Sequence, residues 1–213
     1  MALIASDEIT AYAEAHTTPP SELMQRLAEE TRGTLRSPQM LTGVIEGRLL
    51  EFLVFALRPQ RVLELGTYSG YSSLSMAPQL PPGGHIYTCE VDETHAGVAR
   101  RYLDEAGVGD RVTIHLGPAL ETIQRLEGEF DLIFIDADKA NYPAYYEALV
   151  PRLSSNGIMV LDNTLWSGRV AEPPDSPQTE MFVELNARIA ADPRVVAVVL
   201  TVRDGVTLVR RRS

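Results

Sequence analysis

The chain has 213 residues, with 29 Asp plus Glu against 19 Lys plus Arg and a formal charge of −10, a length suited to one α/β domain with a sizeable core. That acidic balance excludes a nucleic-acid partner, because neutralising phosphates needs clustered Lys and Arg; the one basic cluster, Arg210, Arg211 and Arg212, reads as a solvated tail. A single cysteine, Cys89, excludes a disulfide framework and any cysteine-based metal cluster, and is expected to pack at a strand end.

At the start, Met1–Ile4 is followed by Asp7 and Glu8 instead of a long apolar region, so no secretory leader is expected. The longest apolar stretch, Leu49–Leu57, carries Glu51 and is too short to span a bilayer. A cytoplasmic protein with no membrane partner is expected. Residues 20–32 and 42–58 show apolar positions at helical spacing. In the second, Val44, Ile45, Leu49, Leu50, Leu53 and Leu57 form a broad face, and Phe52 and Phe55 on the same helix read as core. The segment SPQM, Ser37 to Met40, links the two.

From Arg61 onward strands and helices alternate. The expected strands are 61–65, 85–91, 111–116, 130–136 and 157–162, and the expected helices are 71–78, 93–106, 119–127, 140–153 and 177–191. Repeated strand–helix units imply a parallel sheet with helices on both faces. The run VVAVVLTV (195–202), the turn Arg203, Asp204, Gly205 and the run 206–210 then read as an antiparallel hairpin. The expected fold is α/β and Rossmann-like: a mostly parallel seven-stranded sheet closed by a C-terminal hairpin, in a single domain 1–213. The N-terminal helices, about 1–58, would form a cap or dimer element, since they offer more apolar face than the sheet needs.

Three stretches carry the chemistry. In VLELGTYSGYS (62–72) a buried strand runs into a glycine turn and a helix begins at once, with Glu64 near the strand's carboxyl end. Open α/β sheets bind nucleotides in the crevice beyond those strand ends, and Glu90, ending the next strand, is spaced to grip a ribose. A nucleoside-type cofactor follows. In FDLIFIDADKANY (130–142) a fully apolar strand delivers Asp136, Asp138 and Lys139 to the same edge, and in GIMVLDNTLWSGRV (157–170) the next delivers Asp162 and Asn163. Neighbouring strands lie roughly 5 Å apart, so Asp136 and Asp162 can share a ligand. No arginine stands near them in the sequence to pair with either. Two carboxylates and an amide make an oxygen-only half-shell, suited to Mg²⁺ or Ca²⁺, with Mn²⁺ also accepted, and not to Zn²⁺. Single Asp and Asn residues also end strands as caps. His16, His85, His95 and His115 show no ligand spacing and read as surface or strand-end residues.

Together these stretches, with CEVD, GPALE and the upstream SPQM and EGRLL, resemble the small cation-dependent O-methyltransferases related to caffeoyl-coenzyme A and catechol O-methyltransferases, over roughly residues 37–213. The resemblance implies S-adenosylmethionine as cofactor, a divalent cation, and a small phenolic or diol acceptor. It also implies a cation held by Asp136, Asp162 and Asn163. Glu64, Gly66, Thr67, Tyr68, Ser72 and Glu90 would hold the cofactor, Met40, Thr42, Ala119 and Asp138 would line it, and Asp136 would touch it. Asp138, where the catechol branch has an aromatic, points to the caffeoyl-coenzyme A-like branch, and Pro118 replaces a frequent acidic residue. Lys139, beside Asp136, would take the acceptor's proton or stabilise its phenolate. Tyr68 and Tyr71 flank the turn where an aromatic face can meet a sulfonium, with packing the alternative for Tyr71, and Trp166 is expected at the substrate mouth. Two alternatives share this fold. A nicotinamide-dependent oxidoreductase is opposed by the G-x-x-x-G spacing and by Glu64, ill-placed beside a pyrophosphate. A catalytically silent binding protein is opposed by the clustered, mutually repelling carboxylates.

Overall fold

The computed structural model describes residues 5–212; Met1–Ile4, where the reading of a leaderless start begins, and Ser213 lie outside the described residues. The sheet contains β1 (Arg61–Leu65), β2 (His85–Glu90), β3 (Val112–Leu116), β4 (Phe130–Ile135), β5 (Leu153–Leu161), β6 (Val195–Leu200) and β7 (Val206–Arg211). Their order is β3-β2-β1-β4-β5-β7-β6. The first five are parallel, whereas β7 runs antiparallel to both β5 and β6. The expected mostly parallel seven-stranded sheet with a closing hairpin is what the chain forms.

Period-two alternation along each strand decides which helices cover which face. Val62, Ile86, Leu132, Phe134 and Val160 point into one core, shared with α2 (Glu22–Thr34), α3 (Val44–Leu57), α4 (Tyr71–Met76) and α5 (Glu93–Glu105). Leu63, Leu65, Ile133, Ile135, Met159 and Leu161 point the other way, onto α6 (Ala119–Arg125), α7 (Tyr142–Leu149) and α8 (Pro177–Ala191). Such two-sided burial is why the strands read as continuous apolar runs. Helix starts are set locally: Ser21, Asp92 and Ser176 each cap α2, α5 and α8 with a side-chain oxygen on a backbone N–H.

Several boundaries differ from the sequence reading. A first helix, α1 (Asp7–Ala15), has no counterpart in it; Ser6 caps this helix, and none of its residues is buried. The helix expected over 140–153 stops at Leu149 and passes through a 3-10 turn, Val150–Arg152, straight into β5. Phe52 and Phe55 are not core: they are 69% and 67% exposed, because α3 buries Glu46, Gly47, Leu50 and Val54. Arg210 and Arg211 belong to β7, paired with Val196 and Val195, and only their side chains are solvated. Among the described residues no helix is long and apolar enough to cross a membrane.

Candidate active site

The strand order reverses direction between β1 and β4, and the crevice at such a switch point is where α/β sheets bind ligands. A cavity of about 760 Å³ opens there, at the carboxyl ends of β1, β2, β4 and β5. The two central strands are joined at their ends: the Asp136 N–H donates to the Leu65 carbonyl at 2.8 Å. Gly66 follows with φ +100°, and a Cβ built on it would lie 2.0 Å from the Asp136 carbonyl oxygen. Only glycine permits this close approach of backbones.

One wall comes from β1, β2 and the glycine turn. Gly66, Thr67, Tyr68 and Ser72 line it. Gly70 has φ +87° and packs so closely on α5 that a Cβ would sit 2.8 Å from that of Ala99. Glu90 is 8% exposed and takes three backbone N–H groups: Tyr68 at 2.7 Å on Oε2, and Val91 and Asp92 at 2.8 and 2.9 Å on Oε1. The Tyr68 hydroxyl donates to the Arg36 carbonyl at 2.9 Å, tying the turn to the segment before α3. Met40, Thr42, Ala119 and Asp138 also line the cavity, and so does Tyr71, which in addition packs against Gly47. Glu64 lies behind this wall and does not line the cavity. Its Oε2 accepts the hydroxyls of Ser73 and of Thr88, the latter at 2.5 Å, while Oε1 has no donor. Burial outweighs those hydrogen bonds and pushes its carboxyl up to about 7.

The facing wall carries the acidic group. Ile135 pairs with Leu161 across β4 and β5, so Asp136 and Asp162 emerge side by side, with Asn163 next. Asn163 has φ +59°, a left-handed position that asparagine tolerates. Asp162 is 5% exposed, and burial, then the charge of Asp136, raise its carboxyl to about 7. Among the described residues no group of three or more His, Cys, Asp and Glu side chains is arranged to hold a metal. The trio of Asp136, Asp162 and Asn163 instead offers two carboxylates and an amide oxygen. Lys139 Nζ donates to Asp136 Oδ1 at 2.7 Å and to the Tyr142 hydroxyl at 2.8 Å. Burial pulls its pKa down, but the Asp136 charge outweighs this and the net shift is upward, so the side chain stays an ammonium. Trp166 lines the same wall, its ring 5.0 Å from Phe182.

The sequence reading missed three participants. Arg203, assigned to a turn, lines the cavity and ion-pairs with Glu46 at 3.0 Å. An arginine therefore does stand near Asp162, brought there by the hairpin, and its charge lowers that carboxyl's pKa. Glu46 entered the sequence reading only as the first residue of EGRLL, with no role of its own. His95 is not a surface or strand-end residue but lines the cavity from the first turn of α5, with its Nδ1 3.6 Å from Glu90 Oε1 and its ring 4.8 Å from Tyr68. Motif spacing cannot find the first two, because folding supplies their neighbours; the position of His95 five residues past Glu90 was the available signal.

Comparison with known proteins gives a consistent picture. Residues 13–212 match a family described as O-methyltransferase. The chain is 34% identical to the caffeoyl-CoA O-methyltransferase of Petroselinum crispum, over 99% of this chain and 93% of that one. Its fold is similar to an SAH-bound methyltransferase of Podospora anserina, with TM-score 0.89 and 31% identity over 97% of this chain and 95% of that one. It is also similar to a Streptomyces achromogenes O-methyltransferase of tomaymycin synthesis, solved with SAM, with TM-score 0.87 and 28% identity over 97% and 96% of the two chains.

Proposed function

This chain belongs to the O-methyltransferase family, and from that premise we propose that it methylates one hydroxyl of a vicinal diol on a small phenolic molecule, using S-adenosylmethionine and a divalent cation, Mg²⁺ first among the candidates. The observation that carries this reading is the pairing of two walls in one cavity: the glycine turn with Glu90 on one, and Asp136, Asp162 and Asn163 on the other. The cofactor bound to the similar Podospora and Streptomyces enzymes supports the first half.

The residues fit both groups. Glu90 presents a carboxylate at the pocket surface whose oxygens retain lone pairs for hydroxyl donors. Asp162 is buried beside Asp136, a repulsion that a divalent charge would relieve. Three protein oxygens leave room in an octahedral shell for the two oxygens of a diol. When bound, S-adenosylmethionine supplies an electrophilic methyl group and the cation lowers the pKa of a chelated hydroxyl. Lys139, held as an ammonium by the Asp136 charge in the cation-free fold, would stabilise a phenolate or, once a cation neutralises that charge, take the acceptor's proton. Tyr142 and Asp136 fix that ammonium from two sides. Trp166 closes the acceptor end with an apolar face, and Met40 to Thr42 cover the cofactor end. The protein's task is then chiefly alignment of nucleophile and methyl group.

A homodimer belongs to the same proposal, because no residue of α1 is buried within its own chain and α3 leaves Phe52 and Phe55 exposed. The decisive assay incubates the protein with labelled S-adenosylmethionine and a panel of vicinal diols, with and without chelator. Methylation is expected for diols only, to disappear with chelator, and to disappear in Asp162→Ala while cofactor affinity is retained. Normal turnover in chelator or in Asp162→Ala would sink the cation mechanism.

A further inference from the structure

Glu46 is a carboxylate 1% exposed, inside α3, that the proposed reaction does not use. Its partner comes from 157 residues away: Arg203 Nη1 donates to Glu46 Oε2 at 3.0 Å. Arg203 Nη2 donates to the Leu41 carbonyl at 3.3 Å. The same guanidinium lies over Gly43, where a Cβ would come within 3.3 Å of Nη1. Two points along 41–46, the Leu41 carbonyl and the Glu46 carboxylate, are thus held by one side chain that packs over Gly43 between them. The residue that holds them has φ +49°, a conformation unfavourable for arginine and kept only where the surroundings fix it.

The other side of that loop is fixed as well. Thr164 and Leu165 donate their N–H groups to the Gly205 and Asp204 carbonyls, both at 3.0 Å, and the Ser167 N–H donates to the Asp204 carboxylate. The loop 201–205 therefore stands between two parts of the cavity. On one side is the Gln39–Thr42 wall, held by no strand and ending at Gly43, which caps α3 without a side-chain hydrogen bond. On the other is the end of β5 that carries Asp162 and Asn163. A part-buried arginine bonded to two separate acceptors is suited to such a joint, because its planar fork holds them in fixed directions.

We propose that Glu46 and Arg203 are positioning residues: their ion pair clamps the Gln39–Thr42 wall to the β6–β7 loop and so holds the cofactor end of the cavity in register with the Asp162–Asn163 end. The proposal relies on the functional reading only for the identity of the ligand. Its test uses the full chain without cation or acceptor, as wild type, Arg203→Met, Arg203→Lys and the double variant Glu46→Gln/Arg203→Met. Hydrogen exchange is followed peptide by peptide, and the Kd for S-adenosylhomocysteine is measured by calorimetry.

In Arg203→Met, exchange over residues 39–47 should accelerate about tenfold while β1 and β4 stay unchanged, and the Kd should rise roughly fivefold or more. The double variant, which leaves no unpaired charge and tolerates burial better, should show the same two changes, since the clamp is equally absent. Arg203→Lys, which keeps one bond to Glu46, should recover part of both. Recovery of wild-type exchange and Kd in the double variant would mean that uncompensated charge was the whole effect, and it would overturn the clamp. Unchanged exchange over 39–47 in all variants would overturn it too. If wild type fails to bind S-adenosylhomocysteine while exchange responds as described, the clamp stands and the cofactor assignment falls.

Discussion

Glu90 accepts three backbone N–H groups besides facing the cavity, so Glu90→Ala would unpair those donors and confound any binding measurement. Glu90→Gln is the cleaner change: it keeps one acceptor oxygen and removes the charge. It should weaken S-adenosylmethionine binding by about 1.5–3 kcal/mol, the worth of one charge-assisted hydrogen bond, and calorimetry showing unchanged affinity would remove Glu90 from the cofactor site. Asp162 yields a pH prediction. Its carboxyl is raised to about 7 in the cation-free fold, whereas the unfolded chain ionises near the reference value of about 3.9. Between those values the native state holds the extra proton, so stability falls as pH rises. Glu64, raised to about 7 by burial, contributes with the same sign. A cation needs the ionised carboxylate, so Mg²⁺ should raise Tm far more at about pH 8 than at about pH 5. Equal shifts at both, or a decline undiminished in Asp162→Asn, would refute the assignment. The residues most legible in the sequence were those that directly follow an apolar strand, Asp136 and Asp162. Lys139 offers a further signal, since it is the only lysine in the chain. Glu46 and Arg203 were illegible because 157 positions separate them.

At the scale of elements, the close approach between the ends of β1 and β4 is the tightest joint in the site. Gly66→Ala would combine a left-handed φ with a Cβ 2.0 Å from a backbone carbonyl that has no flexible end to move. Strain and overpacking together predict a loss of about 2–5 kcal/mol, read as a lower denaturation midpoint, and with it displacement of Asp136 and loss of turnover. A variant as stable and active as wild type would show that the two strand ends are not in contact in solution. The central strands were legible because both faces are buried and apolarity is unbroken. The start of β5 was not: Ser154, Ser155 and Asn156 carry a turn-like signal, yet they extend the strand beyond the point where the Phe130–Leu132 register shift occurs in its neighbour. Helix α3 misled for the opposite reason. It is apolar nearly all round, so periodicity cannot say which face meets the core, and Phe52 and Phe55 fell on the wrong one. Nor does α1 announce itself, since a nine-residue helix with no buried side chain has no apolar stripe to detect.

For the whole molecule, alternating strands and helices predicted a parallel sheet, but not the order β3-β2-β1-β4-β5-β7-β6, which depends on where each crossover returns. That order decides which carboxylates become neighbours, so the site was legible as a set of residues before it was legible as a place. The N-terminal helices raise the remaining question of assembly. Helix α1 packs on α3, and between them Ile9, Tyr12, Phe52 and Phe55 are 61%, 64%, 69% and 67% exposed. Isolated helices this short are marginal in water, and large exposed apolar groups mark association surfaces more often than free ones when they cluster. A second copy is the occupant that needs no further component, and burial of the two phenylalanines would supply about 1.5–3 kcal/mol for each ring. Sedimentation at micromolar concentration should therefore give twice the 23.5 kDa chain mass. The variant Phe52→Ser/Phe55→Ser should give the single-chain mass with an unchanged circular dichroism spectrum, because neither ring packs in the core. Its Tm should also be independent of protein concentration, whereas the Tm of the dimeric wild type should rise with concentration. A wild-type protein sedimenting as one chain at all concentrations would mean that these rings are simply solvated, and that α1 is held by its Ser6 cap and its contact with α3 alone.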